Sequence, residues 1–249
     1  MRRPILAGNW KMYKTIAETR TFFEKFNPLV ASSNHCDIVI FPTFVNLQAA
    51  AESTRDTRVE IGAQNMFWEQ EGAFTGEVSG PMLKAVGCRW VLIGHSERRQ
   101  YFGETNEDCR KKIVAALHAG LNPVYCVGEQ LEERQANRTH EVLEAQFQGG
   151  TARLTTEQFL KMVIAYEPCW AIGTGKVATP EMAADAHRYI REQARKSFGA
   201  EAASACRILY GGSVKPDNIR GLMAQPEIDG GLVGGASLDA VSFASIVNF

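Results

Sequence analysis

The feature that most constrains the fold of this chain is a repeated alternation between short apolar, β-branched runs and longer amphipathic segments. Such alternation is typical of βα units, in which helices join parallel strands. The apolar runs lack a clean period of two, as expected of strands that are covered on both faces. The pattern predicts eight strands at residues 5–8, 37–41, 59–63, 90–93, 123–127, 163–166, 207–210 and 231–233.

Eight βα units in 249 residues favour an α/β fold, a closed (β/α)8 barrel, over the open doubly wound sheet that is the alternative on pattern alone. Helix starts are readable between the strands. Thr105 and Asp108 have the spacing of a capping box, and Thr179 followed by Pro180 is typical of an N-cap. No linker or change in composition divides the chain, so residues 1–249 are predicted to form a single domain.

Charge and composition exclude several classes of function. The chain has 27 Lys and Arg against 28 Asp and Glu, so no overall field attracts nucleic acid or anionic lipid, and any anion site must be local. No apolar stretch approaches the roughly 18 residues of a membrane span. The six cysteines never form C-x-x-C, which favours free buried thiols and a reducing, cytoplasmic location.

Two short motifs imitate cofactor sites without completing them. The segment 173–176, "GTGK", lacks the upstream glycine of a P-loop, and Val177 follows its lysine where serine or threonine is needed. His95 and Glu97 match the H-x-E of zinc deaminases, but Ile172 stands where the second cysteine of P-C-x-x-C belongs. The remaining histidines have no ligand spacing, so no metal is predicted.

Polar residues and glycines follow most of the predicted strands, and in a barrel the carboxyl ends of the strands carry the reactive groups. In chain order they are Asn9 and Lys11 after the first strand, Gln64 and Asn65 after the third, His95 and Glu97 after the fourth, Cys126 and Glu129 at the fifth, Glu167 after the sixth, Gly211 to Ser213 after the seventh, and Gly234 to Ser237 after the eighth.

The two glycine pairs, at 211–212 and 234–235, predict a phosphate site. Either pair alone is usually a tight turn. Together, at neighbouring strand ends and each predicted to open a helix, they can present backbone N–H groups to an anion.

Glu167, His95 and Lys11 complete the predicted chemistry. A lone lysine is usually a surface residue and a lone histidine a satisfied core residue, but here both share one ring with a carboxylate at the end of a buried strand. Burial is expected to raise the pKa of Glu167 and make it a stronger base. The set predicts proton transfer next to the carbonyl of a small phosphorylated substrate, a reaction that needs no redox cofactor.

At the level of motifs the chain resembles the triosephosphate isomerase family over essentially its whole length. The matching blocks, in order, are "GNWKM" (8–12), "GAFTGE" (72–77), "IGHSERR" (93–99), "CVGE" (126–129), "YEPCWAIGTGK" (166–176), "ILYGGSV" (208–214) and "GLVGGASL" (231–238). The resemblance implies the interconversion of dihydroxyacetone phosphate and D-glyceraldehyde 3-phosphate, in glycolysis and gluconeogenesis, without a cofactor.

The resemblance also implies roles for individual residues. Glu167 is expected to move the proton between adjacent carbons and His95 to act as the electrophile on the substrate oxygens. Lys11 is expected to stabilise negative charge, Asn9 to assist it, and Glu97 to organise the lysine and the histidine. The main-chain N–H groups expected to hold the phosphate belong to Gly173, Ser213, Gly234 and Gly235.

Two further expectations come from the resemblance. The family forms tight homodimers, so Thr75 is expected to support Asn9 and Lys11 of the partner subunit. Residues 168–177 are expected to form a lid with hinges at 168–170 and 175–177. Cys169 and Tyr125 depart from the residues common in the family, and Cys169 beside the lid is expected to make it sensitive to oxidation.

Two other interpretations stay open on the sequence. One is a different phosphate-binding barrel, such as an aldolase or a tryptophan-pathway isomerase, although a Schiff-base aldolase needs a lysine where the sixth strand has Glu167. The other is a catalytically silent barrel used for binding, although such a protein is expected to have lost one of the three reactive residues.

Overall fold

The structure, a computed structural model, describes residues 2–171 and 178–249, and these form a closed barrel of parallel strands. Each strand pairs with the next along the chain, and the last pairs with the first. The strands are β1 (Ile5–Asn9), β2 (Asp37–Phe41), β3 (Val59–Ala63), β4 (Trp90–Ile93), β5 (Asn122–Val127), β6 (Val163–Tyr166), β7 (Arg207–Tyr210) and β8 (Gly230–Val233).

The predicted strands and the predicted closed barrel are confirmed. Five strands have the predicted bounds, and the other three are longer by one residue at one end. The closed order rules out the open doubly wound sheet.

Helices surround the barrel and cover its outer face. They are α1 (Ile16–Val30), α2 (Leu47–Thr54), α3 (Gly80–Ala85), α4 (Ser96–Phe102), α5 (Asn106–His118), α6 (Leu131–Gln135), α7 (Thr139–Thr151), α8 (Thr156–Phe159), α9 (Pro180–Phe198), α10 (Ala200–Ala205), α11 (Ile219–Met223) and α12 (Ala240–Val247). The predicted caps are present: Thr105 and Asp108 form a capping box, and Thr179 accepts from the N–H of Met182. None of these helices is both long and apolar enough to cross a membrane.

Two apolar cores lie on the two sides of the strands. The inner core consists of alternate strand residues, such as Ile5, Ala7, Val39 and Phe41, packed against one another. The intervening residues join the helices in a larger outer core. Because both faces of every strand are buried, the apolar runs of the sequence do not alternate with polar residues.

Candidate active site

His95 lies at the carboxyl end of β4, where it is the N-cap residue of α4. Its Nδ1 accepts from the backbone N–H of Glu97 at 3.2 Å, and its Nε2 lies 2.8 Å from Oε1 of Glu167. Because Nδ1 is an acceptor, the ring proton is on Nε2, where it is donated to the carboxylate. The ring is 5% exposed, so this hydrogen bond is shielded from water.

Glu167 follows β6 and is only 2% exposed. Its Oε1 faces His95, and its Oε2 accepts from the backbone N–H of Ser96 at 2.9 Å. Two glycines leave room for it. A Cβ on Gly211 would lie 2.8 Å from Cγ of Glu167, and a Cβ on Gly128 would lie 1.7 Å from its carbonyl oxygen. The ends of the strands on either side of β6 are therefore shaped around this one residue.

The pKa of Glu167 differs from the expectation. Burial raises it, but the imidazole of His95 and the N–H of Ser96 lower it by more, so the net direction is downward. The predicted upward shift is wrong for this arrangement, because the carboxylate has two hydrogen-bond donors that the sequence does not place beside it.

The contact with Glu167 also changes the pKa of His95. Burial lowers it, and the carboxylates of Glu167 and Glu97 raise it by more. Protonation of Nδ1 would also set an N–H against the N–H of Glu97, which opposes that step. We therefore describe the pair as a carboxylate that accepts from a neutral imidazole.

Lys11 stands in a strained turn after β1, with φ at +52°. For a residue other than glycine this left-handed conformation costs about 1–2 kcal/mol. Two side chains hold the turn. Asn9 Oδ1 accepts from the N–H of Lys11 at 3.0 Å, and Gln64 Nε2 donates to the carbonyl of Lys11 at 2.8 Å. Gln64 also donates to the carbonyl of Phe41 at 2.8 Å and so fixes the turn to β2.

Glu97 lies between the lysine and the histidine. Its Oε1 lies 2.6 Å from Nζ of Lys11, and its Oε2 lies 3.7 Å from Nδ1 of His95. The structure therefore brings Asn9, Lys11, Glu97, His95 and Glu167 into one connected cluster at the carboxyl ends of β1, β4 and β6.

The predicted phosphate-binding residues lie at the ends of β7 and β8, which pair with each other. Ser213 and Gly234 are half-buried, and Gly235 is exposed. A Cβ on Gly234 would lie 3.7 Å from Cε of Lys11, and nothing lies within 4 Å of a Cβ on Gly235. The backbone here is thus open to a ligand and close to the lysine.

The two glycine pairs lead into different local structures. Gly235 begins a short 3-10 helix, Gly235–Leu238, as predicted for that pair. The pair at 211–212 does not open a helix, because α11 begins only at Ile219. Gly173 and the rest of 172–177, including the second predicted hinge, lie outside the described residues.

The first predicted hinge, at 168–170, is fixed by Glu129. This fully buried carboxylate accepts through Oε1 from Trp170 Nε1 at 2.8 Å, Tyr166 Oη at 3.2 Å and Arg134 Nη1 at 3.0 Å. The Arg134 guanidinium also lies 4.7 Å from the centre of the Trp170 ring. The sequence places Glu129 at a strand end but gives no sign of this role, which depends on three partners distributed along the chain.

Two other expectations concern residues near the site. Cys169 is half-buried, and burial, followed by the carboxylates of Glu167 and Glu129, raises the pKa of its thiol strongly. A scarce thiolate counts against the expected sensitivity to oxidation. Thr75 is exposed in the loop between β3 and α3.

Within residues 2–171 and 178–249, no group of three or more His, Cys, Asp or Glu side chains could hold a metal ion.

Comparison with known proteins identifies similar chains. The family model described as triosephosphate isomerase matches residues 4–249. The triosephosphate isomerase of Solibacter usitatus is 67% identical over all 249 residues of this chain and the whole of that protein. That of Geobacter metallireducens is 54% identical over the whole chain and 99% of that protein. A crystal structure of triosephosphate isomerase from Bartonella henselae superposes with a TM-score of 0.89 at 37% identity, covering 99% of this chain and 98% of that one.

Proposed function

Because the chain belongs to the triosephosphate isomerase family, and so interconverts dihydroxyacetone phosphate and D-glyceraldehyde 3-phosphate, we propose that Glu167 is the base and His95 the electrophile of that reaction. The observation that carries the proposal is the 2.8 Å contact between the carboxylate and the imidazole, both buried at the strand ends. No other pair in the cluster combines a carboxylate with a neutral donor and is as deeply buried.

The proposed reaction moves two protons and changes no net oxidation state. The Glu167 carboxylate takes a proton from C1 of dihydroxyacetone phosphate, and the C–H electron pair becomes the C1–C2 double bond. The carbonyl π pair moves to O2, where Nε2–H of His95 meets the developing charge. After a proton passes from O1 to O2, Glu167 returns its proton to C2 and leaves the aldehyde at C1.

Substrate must first separate the resting pair. In the free protein the hydrogen bonds from His95 and Ser96 hold the pKa of Glu167 low. When the imidazole N–H donates to a substrate oxygen instead, the hydrogen bond from His95 no longer offsets the effect of burial, and the pKa of the carboxyl rises. The base is thus weak at rest and strengthened when substrate is bound.

Lys11 and the glycine turns provide the charge that the substrate needs. The Lys11 ammonium, paired with Glu97 at 2.6 Å, is held where it can meet both the enediolate and the phosphate. One well-placed donor in such a site lowers the barrier by about 3 to 4 kcal/mol. Main-chain N–H groups of Ser213, Gly234 and Gly235, with Gly173, hold the phosphate in this proposal.

The chain is further proposed to act as a cytoplasmic homodimer. Its six cysteines are free, as in a reducing compartment. Several large apolar side chains in the segments that follow β1 to β4 are exposed, and a second copy would cover them. They include Met12, Tyr13, Phe44, Val45, Phe74, Met82, Tyr101 and Phe102. The loop that carries Thr75 lies between β3 and α3 and, in this proposal, would reach Asn9 and Lys11 of the partner subunit.

A coupled assay with D-glyceraldehyde 3-phosphate tests the assignment. Glu167→Gln keeps the shape and removes the base, so kcat should fall by about 10²- to 10⁴-fold, the usual contribution of acid–base catalysis. The exposed Glu132→Gln on α6 is the matched control and should retain wild-type kinetics. An undiminished kcat in Glu167→Gln would overturn the role of Glu167.

A further inference from the structure

A half-buried arginine, Arg99, binds the loop that carries His95. Arg99 Nε donates to the carbonyl of Gly94 at 2.8 Å, immediately before His95, and Arg99 Nη2 lies 3.3 Å from the carbonyl of Cys126 in β5. Asn106 Oδ1 accepts from Nη1 at 2.7 Å, and the Tyr125 hydroxyl accepts from Nη2 at 3.2 Å. The guanidinium therefore fixes the end of β4 to β5 through several hydrogen bonds.

Tyr125 extends this connection toward Glu167. Its hydroxyl donates to the carbonyl of Gln146 on α7 at 2.6 Å. The Gln146 side chain then binds Gly128 twice, accepting from its N–H at 2.7 Å and donating to its carbonyl at 3.1 Å. Gly128 is packed directly against the backbone of Glu167. One chain of hydrogen bonds thus runs outside the barrel wall from the His95 loop to Gly128, which packs against Glu167.

Two consecutive glycines in α7 make room for the partners of Arg99. A Cβ on Gly149 would lie 2.7 Å from Cβ of Asn106, and a Cβ on Gly150 would lie 2.3 Å from Cζ of Tyr125. Glycine inside a helix destabilises it relative to alanine. α7 nevertheless has two glycines in succession, at the two positions where a larger residue would displace a side chain that binds Arg99.

Burial keeps Tyr125 in the form that this connection needs. The residue is fully buried, and burial raises the pKa of its hydroxyl well above the ordinary range. The group therefore stays protonated and can donate to Gln146 while accepting from Arg99.

We propose that Tyr125 and Gln146 are positioning residues that hold the loop of His95 and the loop of Glu167 in register across the outside of the barrel. The inference rests on the proposed roles of His95 and Glu167. Reacting groups must be held within a fraction of an ångström, and a small misplacement costs rate rather than affinity. The predicted phosphate-binding ends of β7 and β8 are not part of this connection, so substrate binding should be spared.

Kinetics of single and double variants test the proposal. Tyr125→Phe and Gln146→Met should each lower kcat about three- to tenfold, with KM unchanged within about twofold. The double variant should lose less than the product of the two single losses, because both changes interrupt the same connection. The matched control is Tyr189→Phe, which removes a hydroxyl that also binds α7, through Glu144 at 2.9 Å, but leads to neither loop. Its kcat should be that of wild type.

The outcomes separate this inference from the proposed function. All variants are assayed at 25 °C, with thermal melts to establish that they are folded. If Glu167→Gln loses activity while Tyr125→Phe keeps full kcat and only melts earlier, the positioning role is wrong and the connection is purely structural. If Glu167→Gln keeps its kcat, the assignment of the base has failed instead. If Gln146→Met does not fold, Tyr125→Phe alone decides by its split between kcat and KM.

Discussion

Acid should destabilise this protein through His187, a buried histidine that takes no part in the proposed chemistry. The ring is fully buried in α9, and its Nδ1 lies 3.1 Å from the carbonyl of Glu227, which can only accept. The other nitrogen, Nε2, has no hydrogen-bond partner among residues 2–171 and 178–249. Protonation would therefore place a charge on a nitrogen without an acceptor, beside the cationic Arg191.

The folded and unfolded states bind different numbers of protons at His187 in mild acid. In the folded protein the pKa of His187 is lowered from 6.5 to about 3, and burial is the largest cause. Between those values the unfolded chain binds a proton that the folded protein does not, so stability is full above pH 6.5 and falls as pH decreases toward 3. From pH 7 to pH 5 the loss through this residue is about 2 kcal/mol. At pH 5 the native ring is neutral, because its pKa is about 3.

Denaturant unfolding at fixed protein concentration measures this loss. His187→Asn keeps a donor for the Glu227 carbonyl and removes the titration, so its free energy of unfolding should fall by about 2 kcal/mol less than that of wild type between pH 7 and pH 5. His118→Asn, at an exposed position at the end of α5, is the control and should behave like wild type. Equal losses in wild type and His187→Asn would refute the reasoning.

Three other predictions rest on contacts described above. Gln64→Met removes two hydrogen bonds that hold the strained Lys11 turn. The free energy of unfolding should therefore fall by about 1–3 kcal/mol, and KM should rise. Wild-type values for both quantities would contradict the role given to Gln64. At pH 8, Cys169 should react with a thiol reagent far more slowly in the native than in the denatured protein, because burial raises the pKa of its thiol. Equally fast labelling of both forms would show that the thiol is not buried in this way. Thr75→Arg should weaken association, seen as a smaller mass in sedimentation and a parallel loss of activity on dilution; a fully active monomer would disprove the proposed dimer.

Much of the fold could be predicted because the signals are local. Runs such as 37–41 and 163–166 are short and mostly apolar, with Pro42 directly after the first and Glu167 directly after the second, and their bounds are found unchanged in the structure. The Thr105 cap depends on a residue three positions away. His95 and Glu167 can be found by the same logic, because a polar residue directly after a buried strand must lie at the barrel mouth.

The features that escaped prediction depend on partners that are distant in the chain. The lowered pKa of Glu167 requires His95 and Ser96, about 70 residues earlier, to point at one carboxylate. Glu129 and Gln64 each come after a predicted strand, yet their roles become visible only when the carbonyls and ring nitrogens around them are placed. Composition and periodicity contain no information on such pairings.

The contact between His95 and Glu167 also bears on why the resting site is stable at all. A buried carboxylate without partners would lose several kcal/mol of solvation, and a buried imidazole N–H would be unpaired as well. Each group satisfies the other in the free protein, so neither is left to destabilise the fold. In the proposed reaction the same contact must break before Glu167 can take a proton from a substrate carbon. The binding energy of the substrate phosphate group, which is remote from the reacting carbons, can separate His95 from Glu167. The hydrogen bond from His95 therefore contributes both to the stability of the free protein and, together with the N–H of Ser96, to the low pKa of Glu167.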